Sequence, residues 1–262
     1  MIGSTKKLRQ DHQKLVTFRK FWKAGFTKHA GFLMTRVAAQ QPYFLADYYY
    51  FQKIFLSDIF FIADFLQYRK QSAISRARLS IEYRPEYLTI PVHHSTGNPP
   101  PHINQVRMLP PQYWVEQHLK TLKSLYRQYP FFEYYFPELE AIYLKKYQLL
   151  HHFLNDLICW QAGLLFPGKK LLIASEENLG NLEALRNRFK TYRELQLLIH
   201  SAERDFYRQH FSKFPMVCLS RKHLPPFPAG YDPEKSLLIL LFLEGPETAR
   251  FFQKSGREYS TG

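Results

Sequence analysis

The chain has 262 residues, with Lys+Arg 36 against Asp+Glu 22, a net charge of +14, 45% hydrophobic and 22% charged residues. That profile belongs to a folded protein with a substantial core and excludes a disordered one. Aromatic residues make up 17% and glycines number 11, which excludes collagen-like, linker-like and low-complexity classes. The length admits one large domain or two small ones.

The charge is uneven. Residues 1–36 hold nine Lys/Arg and one acid, Asp11, so +8 of the total +14 lies there. Within them Leu15, Phe18, Trp22 and Phe26 recur at near-helical spacing beside Lys14, Lys20 and Lys23, as in a basic amphipathic helix suited to an anionic membrane or to phosphate. The competing reading is a solvated extension whose aromatics dock on the body. Nucleic acid is not an expected partner, because the excess is mostly a property of this extension. The lysines break every apolar stretch before a signal peptide could form, and the longest later run, from Ser236 to Leu243, is too short to span a bilayer. These features predict a cytoplasmic chain, with residues 1–33 as a candidate peripheral contact to an anionic membrane.

After the extension, Leu33–Ala39 reads as a short buried strand ending at Gln41-Pro42. Leu45–Leu56 suits a helix, and Asp58–Ala63 (DIFFIA) a buried strand closed by Asp64. Further strands are expected at Leu79–Tyr83, Tyr87–Val92 and Ile103–Leu109, with a rigid STGNPPP loop before the last. From Pro110 the period changes: Trp114, His118, Leu122, Leu125 and Tyr129 share one helical face. Helices follow at Phe131–Lys146 and Leu149–Leu165, a strand at Lys170–Ala174, a helix over Leu182–Ala202, a strand at Met216–Leu219 and an apolar segment from Ser236. Strands and helices interleave, which predicts an α/β fold: a mixed sheet with flanking helices, β-rich in the N-terminal half and helix-rich afterwards.

No phosphate loop, HExxH, GxSxG or dinucleotide fingerprint is present. Cys159 and Cys218 lie in apolar runs without CxxC spacing and read as buried thiols. The pairs His93-His94 and His151-His152 lack a carboxylate or Cys at ligand spacing, so no metal and no cofactor is expected. Residues 41–79 are more informative. Asp58 precedes an apolar strand and Asp64 follows it, then come Gln67, Lys70 and Arg76. A strand's C-terminal end is where open α/β sheets place ligands. Asp64 with Arg76 or Lys70 reads equally as a substrate clamp, an acid/base pair or a structural ion pair.

This stretch resembles the WbqC-like protein family. The family pattern Q-P-x-Y-x-P-x-x-x-Y-F is met by Gln41, Pro42, Phe44, Leu45, Tyr50 and Phe51. Its D-D-x-Q-F-x-K-x-S-W-x-N-R-x-R-I is followed through Asp64, Gln67, Tyr68, Lys70, Ser72, Arg76, Arg78 and Leu79. Ala46, Phe65, Ala73, Ser75, Ile239 and Leu243 depart from the family residues (Pro, Asp, Trp, Asn, Asp and Asn). The likeness extends over about residues 34–250 and sets three segments: a basic extension (1–33), the family domain (34–253) and a flexible tail (254–262). It implies a divergent aminoacyl or acyl transferase of the glycine-transferase type in bacterial O-antigen or other surface-polysaccharide biosynthesis. Its partners would be an activated sugar or polysaccharide precursor and an aminoacyl or acyl donor. Proton transfer and anion stabilisation then fall to Asp64 or His118 as base, with Asp58, Gln67, Lys70, Arg76, Gln41 and Tyr50 around the substrate. The rival reading is a non-catalytic binding or scaffold protein that uses the basic extension on an anionic membrane or nucleic acid.

Overall fold

The computed structural model describes residues 34–81, 84–93, 99–219 and 224–258. The basic extension, and with it the membrane-helix expectation, lies outside them, as does most of the STGNPPP loop. Strand β1 (Thr35–Gln40) leads through helix α1 (Tyr48–Leu56) to β2 (Ile59–Ile62), and a hairpin, β3 (Arg76–Ile81) and β4 (Arg84–Thr89), follows. Helices α2 (Val115–Tyr126), α3 (Phe132–Leu144) and α4 (Leu150–Leu165) come next, then β5 (Lys170–Ile173), α5 (Leu182–Lys190), β6 (Leu195–His200), α6 (Arg204–Phe211) and β7 (Met216–Leu219). Helices α7 (Leu237–Glu244) and α8 (Ala249–Glu258) complete the described chain.

The main sheet has five strands in the order β5-β2-β1-β6-β7, all parallel. Its strands alternate between two cores. Ala38, Phe60, Ile62 and Leu198 face a large cluster with α1, α2, α3, α4, α7 and α8. Val37, Phe61, Leu197 and Ile199 face a smaller one with α5 and α6. Burial on both faces explains the near-continuous apolar runs of these strands, since a parallel sheet covered by helices has no solvent side. The chain grows outward from β1 through β2 to β5, then returns to β6 on the other side of β1. The switch point of this doubly wound sheet therefore lies between the C-terminal ends of β1 and β6.

Helix α1 has no solvent face: all nine residues of YYYFQKIFL are buried. Asp47 caps it by accepting from the Tyr50 amide at 2.9 Å, satisfying one of the free N–H groups of the first turn. Lys53 is thus a cation enclosed in an aromatic helix. At the other end of the chain, Gly245 closes α7 with φ 57° and ψ −131°, a conformation open to glycine and strained for other residues.

Three expectations are corrected. Ile103–Leu109 is not a strand: it begins as a 3₁₀ turn, Ile103–Gln105, and pairs with other segments through isolated bridges, Val92 to Met108 and Arg107 to Leu149, not through a ladder. Leu182–Ala202 is not one helix: α5 stops at Lys190, and Leu195–His200 is strand β6, the central partner of β1. The cysteines are not buried, since Cys159 is exposed on α4 and Cys218 is half-buried in β7.

Candidate functional site

Three chain segments meet beside the carboxyl edge of the sheet and border an open cavity of about 290 Å³. Its walls are Tyr43 to Asp47, Gln71 to Ala73, Arg76 to Arg78, Tyr87, Glu234 and Ser236. Backbone hydrogen bonds knit these walls together: Phe44 N to Ala73 O at 2.9 Å, Leu237 N to Ala46 O at 2.9 Å and Ser236 N to Arg78 O at 2.9 Å. Two wall residues, Leu45 at φ 42° and Gln71 at φ 54°, hold left-handed backbone conformations that side-chain-bearing residues rarely adopt. Strain of this kind persists only where the surroundings over-determine it, and it concentrates at ligand sites.

Arg76 gives the cavity its charge. Its guanidinium lies 4.0 Å from the centroid of the Tyr87 ring, and its Nε is buried without a hydrogen-bond partner among the described residues. The neighbouring Arg78 is instead committed to Asp232 at 3.6 Å and Glu234 at 3.7 Å. A guanidinium stacked on an aromatic face, with donors to spare, is suited to a carboxylate or phosphate. Ala46 and Ala73, two of the positions where the chain departs from the family pattern, both stand in the cavity wall.

The remaining sequence-selected residues are scattered. Asp58 stands before β2 and Asp64 after it, so the strand separates them. Asp58 is exposed and accepts from the Arg36 amide at 2.8 Å and the Arg36 guanidinium at 3.4 Å. Gln67 and Lys70 are exposed on the connection to β3 and do not line the cavity. Gln41 bonds the Tyr43 phenol, and Tyr50 is fully buried with its ring centroid 5.3 Å from that of Tyr43. Burial pushes the Tyr50 phenol well above the usual tyrosine range.

Asp64 pairs with neither Arg76 nor Lys70. It accepts from the Ser175 amide at 3.0 Å, the Ser175 hydroxyl at 2.5 Å and His151 Nδ1–H at 3.0 Å. Burial raises its pKa, but the bonds from His151 and Ser175 outweigh that and hold it below the ordinary aspartate value. Serine and histidine both donate to the carboxylate, so the serine is not activated by the histidine as a nucleophile would be. The cluster ties the ends of β2 and β5 to the start of α4.

His118 is also enclosed. It stacks on Phe44 with centroids 5.8 Å apart, and its Nε2–H donates to Thr89 O at 3.2 Å. Burial lowers its pKa to about 4, against the opposing bond to Thr89. It is a neutral core histidine one layer behind the cavity wall, a geometry that gives it no route to a substrate proton.

Sequence reasoning missed the ion pair at the switch point. Lys53 Nζ lies 2.6 Å from Glu203 Oε2 and 3.2 Å from Ala39 O, and the His200 amide donates to the same carboxylate oxygen at 2.8 Å. Burial pulls the lysine's pKa down and Glu203 pulls it back up, with a net lowering. The one local signal was a lysine within YYYFQKIFL.

No curated protein and no solved structure matches the chain. No helix among the described residues is long and apolar enough to cross a membrane. The model of the WbqC-like protein family matches residues 41–215, from two residues before the cavity wall to the residue before β7, and the chain belongs to that family.

Proposed function

We propose that this protein is an aminoacyl or acyl transferase of bacterial surface-polysaccharide biosynthesis, acting in the cytoplasm on an anionic, activated sugar or polysaccharide precursor. Family membership supports the polysaccharide association. The observation that carries the chemistry is the Arg76 guanidinium, stacked on Tyr87 in a cavity with strained walls. An activated precursor brings phosphate or carboxylate charge, and a half-buried guanidinium holds such charge more strongly than an exposed one. The acyl or aminoacyl donor is the second partner. Asp64 and His118 serve as supports of the cavity in this reading, not as its base.

The test has two stages. Calorimetric titration with inorganic pyrophosphate should show binding that weakens with added salt and falls about tenfold or more in Arg76→Gln. Mass spectrometry of sugar precursors incubated with the protein and acyl or aminoacyl donors should then reveal a gain of one acyl group. Equal binding by wild type and Arg76→Gln would refute the assignment of the cavity, and the absence of any acyl gain across donors would refute transfer.

A further inference from the structure

The cavity that holds Arg76 carries both signs of charge. Four charged residues border it: Arg76, Arg78, Asp47 and Glu234. Arg78 faces two carboxylates, Asp232 at 3.6 Å and Glu234 at 3.7 Å, both longer than the roughly 2.7–2.9 Å of a charge-assisted hydrogen bond. One guanidinium shared loosely by two acids leaves negative charge in excess. Asp47 adds to it, because the helix-capping bond it accepts from the Tyr50 amide brings no formal positive charge. Arg76 is the opposite case: it stacks on Tyr87, and no carboxylate among the described residues pairs with it.

The backbone sets the two charges apart. Arg76 and Arg78 lie two residues apart on β3, which places them on the same face of the strand about 7 Å from each other. The Ser236 amide is bonded to the Arg78 carbonyl at 2.9 Å, and Ser236 forms a bridge with Asp47. Asp47 and Glu234 therefore gather at the Arg78 end of the cavity, with Arg76 and Tyr87 at the other. No group of three His, Cys, Asp or Glu among the described residues is placed to hold a metal ion, so these acids do not form a metal site of their own. A phosphate alone answers Arg76 and leaves the acidic end without a partner; a ligand that also carries an ammonium answers both ends, with opposite charges meeting across one sugar ring. At about 290 Å³ the cavity stands at the low end of ligand-pocket sizes, the scale of one hexose phosphate.

We infer that the sugar held here is an amino sugar phosphate, its phosphate on Arg76 and its protonated amine at Asp47 and Glu234. The inference rests on the proposed function in one respect, the anion at Arg76, and narrows that precursor to one bearing an amine.

The experiment is a set of calorimetric titrations of the full chain, at a pH where the sugar amine is protonated, with glucosamine 6-phosphate, glucose 6-phosphate and N-acetylglucosamine 6-phosphate. Wild type should bind glucosamine 6-phosphate about tenfold more tightly than glucose 6-phosphate, the scale of one charge-assisted hydrogen bond, and acetylation of the amine should cancel the gain. Asparagine caps a helix as well as aspartate does, and Glu234 is exposed, so Asp47→Asn/Glu234→Gln should melt like wild type; it should bind glucose 6-phosphate no more weakly and lose the preference for the amine. Arg76→Gln should weaken all three sugars. Equal binding of glucosamine and glucose 6-phosphates by wild type, or a preference that survives in the double variant, overturns the amine subsite and leaves the Arg76 assignment standing. So does a wild type that binds inorganic pyrophosphate but none of the sugars, whereas failure of pyrophosphate and sugars alike overturns the Arg76 assignment and the subsite with it.

Discussion

Asp64 accepts two hydrogen bonds from the single residue Ser175, one from its amide at 3.0 Å and one from its hydroxyl at 2.5 Å. With His151 as third donor, a buried carboxylate fastens two strand ends to one helix. Asp64→Ala should therefore cost about 3 kcal/mol in urea melts, since charge-assisted bonds are lost together and the half-buried Ser175 amide loses its acceptor. The group's pKa is depressed in the folded state, so its contribution is present above the ordinary aspartate pKa and is lost as pH falls through the folded value. The variant should show a shallower loss of stability below about pH 4.

His118 predicts a different acid window. Its folded pKa is lowered to about 4 from 6.5, so between those values the unfolded chain binds the proton that the folded chain refuses. Stability should be full above pH 6.5 and fall as pH drops toward 4, by on the order of 3 kcal/mol. His118→Leu should flatten this window and cost about 1 kcal/mol at neutral pH through the lost bond to Thr89. Thermal melts at half-unit pH intervals would separate it from the Asp64 effect. A window unchanged in the variant would show that another group is responsible.

Gly245→Ala should destabilise by about 2–4 kcal/mol. The added Cβ would stand 2.5 Å from Phe131 Cδ1, at φ 57°, so a steric clash adds to backbone strain. Phe131 cannot easily retreat, because its amide is bonded to Phe242 O at 3.0 Å. A urea midpoint equal to that of wild type would contradict this packing.

Ile239 is 3% exposed within α7, at a position where the resemblance places an aspartate. Ile239→Asp should lower stability by several kcal/mol, the scale of a buried charge with no partner. Ile239→Asn separates the charge from the lost packing: it should cost less than the aspartate at neutral pH. A neutral or stabilising aspartate would reveal a cationic partner at this helix.

Elements whose apolar pattern is local were legible in the sequence. IFFI and KLLI read as strands because each is a short apolar run bounded by polar residues, fully buried in IFFI and half-buried in KLLI, and α3 and α4 read as helices from sustained period. Strand β6 was not legible, because LQLLIH follows α5 without a glycine or proline and continues its apolar content; pairing with β1 decides its state, not local propensity. The placement of Asp64 at a strand end was likewise readable, and its partners were not, since Ser175 and His151 come from distant chain segments. Lys53 and Glu203 illustrate the same limit. The fold brings them to 2.6 Å across a sequence separation that no spacing rule covers.

The position of β6 also sets a timetable for synthesis. Strand β1 pairs with β2 on one side, Val37 against Ile59, and with β6 on the other, Thr35 against Leu195. A nascent chain therefore carries β1 with one ladder edge open until Leu195 leaves the ribosome, for on the order of ten seconds at ordinary elongation rates. An unpaired, two-sided apolar strand invites pairing with a neighbouring chain. The seam that completes the Lys53–Glu203 pair is among the last parts of the sheet to close, so a product truncated before Leu195 would be born with its switch point unbuilt and its central strand exposed to aggregation.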